Sequence, residues 1–138
     1  MNPMRGPGRF QWNTGGWFGG QIGATCWLVP MAFVLVAGGD QAGGAMLAIL
    51  FAAPNVIGTM LWFRRERVAP YPAFQLLILC SAVSAFAAFF ILIKSAVFAE
   101  EVRSTSLASL FIPLLIFPGL MFMFHLMEKQ SRDQGDGE

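Results

Sequence analysis

Residues Trp17–Ala37 read WFGGQIGATCWLVPMAFVLVA, 21 positions without one charged side chain. A helix of about 20 apolar residues crosses the hydrocarbon core of a bilayer, so this stretch predicts a membrane span. Three further apolar runs follow, at 43–63, 73–98 and 107–127. The expected fold is all-α: a polytopic membrane protein with four transmembrane helices in an up-down bundle, one membrane domain over 1–138. The tails, 1–16 and 128–138, are polar and glycine-bearing, and predict irregular chain.

Composition agrees. The chain is 56% hydrophobic and only 12% charged, against roughly 25% charged in soluble domains. The net charge of +1 gives no footprint for nucleic acid. An apolar first run after Arg5 and Arg9 invites a signal-peptide reading. It is too long for an ordinary apolar region of about 7–15 residues, and is read as a retained helix.

At the start of the first run, Gly15 just before it and Gly19 and Gly23 inside it recur every four residues. On a helix they form a flat side where a second backbone can approach, from this chain or from another copy. Gln21 and Thr25 need polar partners inside the membrane, and Pro30 predicts a kink. In the second run Gly44, Ala48, Ala52, Asn55, Thr59 and Trp62 step near the 3.6-residue period. This stripe predicts a protein-facing side, with Leu47 elsewhere. Asn55 lies near mid-membrane, where an amide must be hydrogen-bonded. Both a bond to a backbone carbonyl freed by Pro54 and a ligand or ion role stand open. In the third run Leu79, Val83, Phe86, Phe90 and Ile93 suit lipid, whereas Ser81, Ser84, Ala85 and Ala88 suit a neighbouring helix. Phe10, Trp12 and Trp17 suit the headgroup level.

Arg64, Arg65 and Arg67 close the second run, and Pro70 and Pro72 break any helix there. Such a basic cluster orients the chain in the membrane or meets a lipid headgroup. A four-span path puts Arg5, Arg9, Arg64, Arg65, Arg67, Lys129 and Arg132 on one side, and Arg103 with Lys94 on the other. Basic residues concentrate on the cytoplasmic side, so both termini are expected there, in a plasma membrane, with the bacterial inner membrane as the starting expectation. Lys94, the one charge within a run, is read as an anchor reaching the outer interface. The competing reading makes it a substrate or proton site facing the bundle.

The search for reactive chemistry yields no candidate catalytic, cofactor-binding or metal-binding residue. Cys26 and Cys80 sit in apolar runs with no CxxC spacing. His125 is the one histidine and the runs contain no carboxylate, so a set of metal ligands does not assemble. In size the chain resembles the small multidrug transporters, but it lacks the carboxylate that family carries in its first helix. The functional expectation is a non-enzymatic accessory or assembly subunit of a membrane complex. The alternative is a small oligomeric transporter or channel using Gln21, Asn55 and Lys94. The partners expected are the lipid bilayer, and a membrane protein or further copies of this chain; no cofactor is expected.

Overall fold

The computed structural model describes residues 10–104, 106 and 112–135. It is all-helical, with no strand among the described residues. The helices are α1 (Thr14–Gly23), α2 (Leu28–Ala37), α3 (Gln41–Phe63), α4 (Pro70–Lys94), the short α5 (Ala99–Ser104) and α6 (Ile116–Gly135). Single 3-10 turns occupy Ala96–Phe98 and Ile112–Leu115. Three segments among the described residues are long and apolar enough to cross a membrane: Thr14–Ala37, Gln41–Phe63 and Pro70–Lys94.

The first of these is broken. Pro30 has no N–H to offer the Cys26 carbonyl one turn back, which instead accepts from Val29 at 3.2 Å. Leu28 likewise bonds three residues back, to Thr25. The expected kink is therefore a tightened turn at 24–27 that separates α1 from α2. The chain then reverses through a Schellman motif: Asp40 N donates to Leu35 O and Gly39 N to Val36 O. Gly39 takes a φ of 92°, a left-handed conformation that glycine tolerates without a Cβ clash. Asp40 caps α3, its carboxylate accepting from Gly43 N at 2.8 Å and from Ser95 Oγ at 2.7 Å. These two bonds, the backbone one foremost, hold its carboxyl below the ordinary aspartate range, with desolvation opposing.

At the opposite end, Pro70 and Pro72 open α4 rather than break it. The first-turn N–H groups of a helix have no partner inside it, so proline costs little there, and Pro70 takes the first helical position. Residues 128–135 are helical, not irregular: α6 continues to Gly135 across the expected span boundary. His125 lies level with Tyr71, so the last ten residues of α6 project about 15 Å beyond it at 1.5 Å per residue.

The core forms three clusters. Leu28, Leu35, Leu47 and Ala88 join α2, α3 and α4. Ile78, Ala85 and Phe117 join α4 to α6. Trp17, Ala73 and Leu77 join α1 to α4. The α4 faces fall largely as the sequence predicts: Ser81, Ser84, Ala85 and Ala88 are buried, whereas Leu79, Val83, Phe86 and Phe90 are exposed and Ile93, nearest the helix end, is half-buried. The α3 stripe does not. Gly44 is buried, but Ala48 and Ala52 are exposed and Leu47 is fully buried. Gly43, Gly44, Leu47, Pro54 and Gly58 form the buried side. The buried row Gly44, Leu47, Pro54 and Gly58 still follows the helical period, but from Leu47 onward it lies one residue before the predicted row, facing Leu28 and Leu35 of α2 and Gln21 of α1.

Candidate functional site

Five polar side chains of the spanning segments, those of Trp17, Gln21, Thr25, Asn55 and Thr59, meet along one seam between α1 and α3. Trp17, Gln21 and Thr25 follow one another at four-residue intervals on α1 and the turn after it. They face Asn55, Gly58 and Thr59 on α3. The Trp17 indole N–H donates to Gly58 O at 3.0 Å. Gln21 Nε2 donates to Asn55 O at 2.6 Å and to Thr59 Oγ1 at 3.3 Å. Asn55 Nδ2 donates to Thr25 Oγ1 at 2.9 Å and to Phe51 O at 2.7 Å. Thr25 and Thr59 hydroxyls each donate to the carbonyl one turn back, on Gln21 and Asn55.

The Phe51 carbonyl taken by Asn55 is adjacent to the Leu50 carbonyl that Pro54 frees, and is not that group. Gln21 is 2% and Thr25 1% exposed; these groups are cut off from solvent and must satisfy one another. Two acceptors are left over: Gln21 Oε1 and Asn55 Oδ1 are buried with no donor. Gly58 makes the approach feasible, since a Cβ on it would stand 2.5 Å from Gln21 Oε1.

An aromatic cap covers the seam at the Arg64–Arg67 end. Trp12 packs against Trp17 and Trp62 at ring-centre distances of 4.7 and 5.8 Å, and its indole N–H donates to Val68 O at 3.3 Å. Phe10 stacks among Tyr71, Phe74 and Phe124. Residues 10–13 thus pack on the helices instead of lying loose, and Trp17 is buried. Arg65 sits over Trp62, with its guanidinium 5.0 Å from the ring centre, and donates to Trp62 O. Arg64 and Arg67 are exposed. Arg5 and Arg9 lie outside the described residues.

The remaining sequence candidates are not gathered here. Lys94 is exposed in the last turn of α4, at the far end from the arginines. His125 Nδ1 lies 3.1 Å from Tyr71 OH, which also accepts from Gln75. No group of three or more potential metal ligands occurs among the described residues. A Cβ added at Gly15 would meet only its own cap residue Asn13, and one added at Gly19 or Gly23 would meet no atom of the described residues within 4 Å. Their predicted close approach is therefore not made among the described residues: α1 turns Trp17 and Gln21, not this glycine face, toward its neighbours. Gly44, by contrast, lies directly against Val36 and the Ala32 backbone on α2.

The sequence reading passed over Gly58 and the indole of Trp17. A signal was present: Trp17, Gln21 and Thr25 at i, i+4, i+8 put three hydrogen-bonding side chains on one helix face, and Asn55 and Thr59 at i, i+4 put two on a face of the next helix. The seam is built from amides, hydroxyls and an indole, none of which changes protonation near neutral pH, so its chemistry is to hold, position or coordinate. Comparison with protein-family models, with curated proteins and with solved structures gives no match.

Proposed function

We propose that this chain is a non-enzymatic accessory or assembly subunit of a membrane complex. The observation that carries the reading is small-residue surface turned outward on spanning helices. Among the described residues, nothing stands within 4 Å of a Cβ added at Gly19 or Gly23. Gly44, Ala45 and Ala48 line an outward apolar groove between α2 and α3. In lipid, small residues give association its close van der Waals contact. Extraction of native membranes in mild detergent and purification through the chain tests this. A larger membrane protein recovered in fixed stoichiometry, and lost with Gly19→Leu or Ala48→Leu, is the expected result.

The proposal includes a fourth crossing over 107–127, with both termini on the cytoplasmic side of a plasma membrane, taken as the bacterial inner membrane. Support comes from the direction of α6. Phe117 packs on Ile78 and Ala85, Gln75 bonds the Met121 carbonyl, and His125 meets Tyr71. Hence α6 runs antiparallel to α4, back toward the end of the bundle that carries Arg64, Arg65 and Arg67. A cytoplasm-dependent reporter fused at residue 138 or within 64–72 should be active, and an export-dependent one should be active near Asp40. Export activity at residue 138 overturns the path.

A small oligomeric transporter or channel is the second reading. It is favoured by Gln21 Oε1 and Asn55 Oδ1, two buried acceptors without donors. A homo-oligomer with substrate-dependent flux in liposomes, abolished by Asn55→Ala, would replace the first reading with this one.

A further inference from the structure

α6 does not close against α1 and α4 along its whole length. Between them lies a partly enclosed cleft of about 200 Å³, whose walls include Gly20, Phe74, Ser81, Phe117, Leu120 and Phe124. Among the described residues Ser81 supplies its one side-chain polar atom. That residue is 1% exposed, and its Oγ has no hydrogen-bond partner among the described residues.

The missing bond stands out within this protein. A hydroxyl on a helix commonly donates to the carbonyl one turn back, as Thr25 and Thr59 do. Ser81 makes no such bond, so its hydroxyl stays free to serve an occupant of the cleft. The position is deep: Ser81 lies eleven residues into α4, about 16 Å from its start. At that depth bulk water is absent and an unpaired hydroxyl is costly. An occupant must therefore be soluble in lipid, yet bring one polar atom to the middle of the membrane. A phospholipid acyl chain has none to bring.

Size narrows the class further. An apolar cavity of about 150 Å³ holds benzene, so this volume suits one substituted ring. Phe74 and Phe124 already meet edge to face, with centres 5.0 Å apart and planes at 76°, and such aromatic walls favour a further ring. We propose that the cleft binds a membrane-dissolved molecule that inserts one six-membered ring carrying a carbonyl or hydroxyl, which hydrogen-bonds to Ser81 Oγ.

The test uses 4-fluorophenol and fluorobenzene, rings that differ in one hydroxyl. Fluorine NMR titrations are run on the full chain in lipid nanodiscs, with partition into protein-free nanodiscs subtracted. Saturable binding of 4-fluorophenol about fivefold tighter than of fluorobenzene is expected, the gain of one net hydrogen bond. Ser81→Ala should bring the two affinities together while helical content by circular dichroism stays unchanged. Ala24→Phe, which fills the cleft from the turn after α1, should abolish both. Equal binding of the two rings by the wild type would make the cleft a plain hydrocarbon pocket and overturn the proposal. So would a preference that survives Ser81→Ala, or the absence of saturable binding by either ring.

Discussion

Two sets of glycines lie on spanning helices here, and they behave oppositely. Gly15, Gly19 and Gly23 on α1 have the regular four-residue spacing that membrane helices use for close contact, yet among the described residues no other helix covers that face. Gly44 and Gly58 on α3 are fourteen residues apart, and both are buried where another helix leans on them. Gly44 receives the α2 backbone at Ala32, whereas Gly58 receives a polar side chain, Gln21. Spacing alone does not mark a contact. What marks it is a glycine facing something that needs the room: a backbone at one site, an amide seeking a carbonyl at the other.

The sharpest break of this comparison is Gly58→Leu. Its Cβ alone would stand 2.5 Å from Gln21 Oε1 and 2.6 Å from Gln21 Cδ, and Trp17 must also keep its bond to the Gly58 carbonyl. Overpacking costs about 1–3 kcal/mol in well-filled interiors, and the upper end is expected here. Gly44→Leu should follow closely, because the obstacle includes the fixed Ala32 carbonyl at 3.0 Å. Thermal unfolding in detergent, followed by circular dichroism, measures both.

Next in size is Asn55→Ala. It removes the donor to Thr25 and to Phe51 O, and removes one acceptor that had no donor. Hydrogen bonds between membrane helices average about 0.6 kcal/mol and reach about 1.7. A loss of about 1–2 kcal/mol is expected, clearly below Gly58→Leu. If Asn55→Ala proves the more damaging, the seam rather than the glycine contact holds α1 to α3.

Gly43 supplies a third kind of buried glycine, enclosed by its own cap rather than by another helix. An added Cβ there would stand 2.6 Å from Asp40 Oδ2, so the cap carboxylate takes up its space. The folded chain holds Asp40 below its ordinary pKa through Gly43 N–H and Ser95. The bond to the ionised form therefore stabilises the fold above about pH 4, the unfolded value, and this is lost as pH falls through the lowered pKa. The stability difference between wild type and Asp40→Ala should accordingly shrink as pH falls from 6 to 3. A difference that stays constant would show that the carboxylate's charge does not matter to the cap.

Much of the architecture was legible because hydropathy and charge-free length have no alternative use in water. The long apolar segments, the α4 lipid and protein faces, the Pro30 distortion and the glycine turn before α3 all follow from one side chain or one run. The rest depended on partners. Which row of α3 is buried is decided by where α2 and α1 pack on it, and that row runs one residue before the predicted one, so Ala48 and Ala52 came out exposed and Leu47 buried. Pro70 and Pro72 read as helix breakers until their place in the first turn is known. The polar residues Gln21, Thr25 and Asn55 were visible, but the pairing that makes them one seam required Trp17 and Gly58, which look like an interfacial aromatic and a spacer. Helix α6 extends to Gly135 although its last eight residues are polar.

The smallest expected effect separates the two glycine sets most cleanly. From spacing alone, Gly19→Leu and Ala52→Leu should both push helices apart. In the folded chain Gly19 has nothing within 4 Å of the added Cβ, and Ala52 is exposed. A leucine at 19 displaces no protein atom at its Cβ, and it replaces the residue with nearly the poorest helix propensity, a difference of up to about 1 kcal/mol in water. The monomer in detergent should thus be unchanged, within about 0.5 kcal/mol, or slightly stabilised. Under the proposed function any damage should appear elsewhere, in the recovery of a partner or of a second copy from native membrane. Gly19→Leu that lowers the unfolding temperature of the monomer as much as Gly58→Leu would place α1 against another helix through its glycine face, and would reverse the assignment of Trp17 and Gln21 as its inward side.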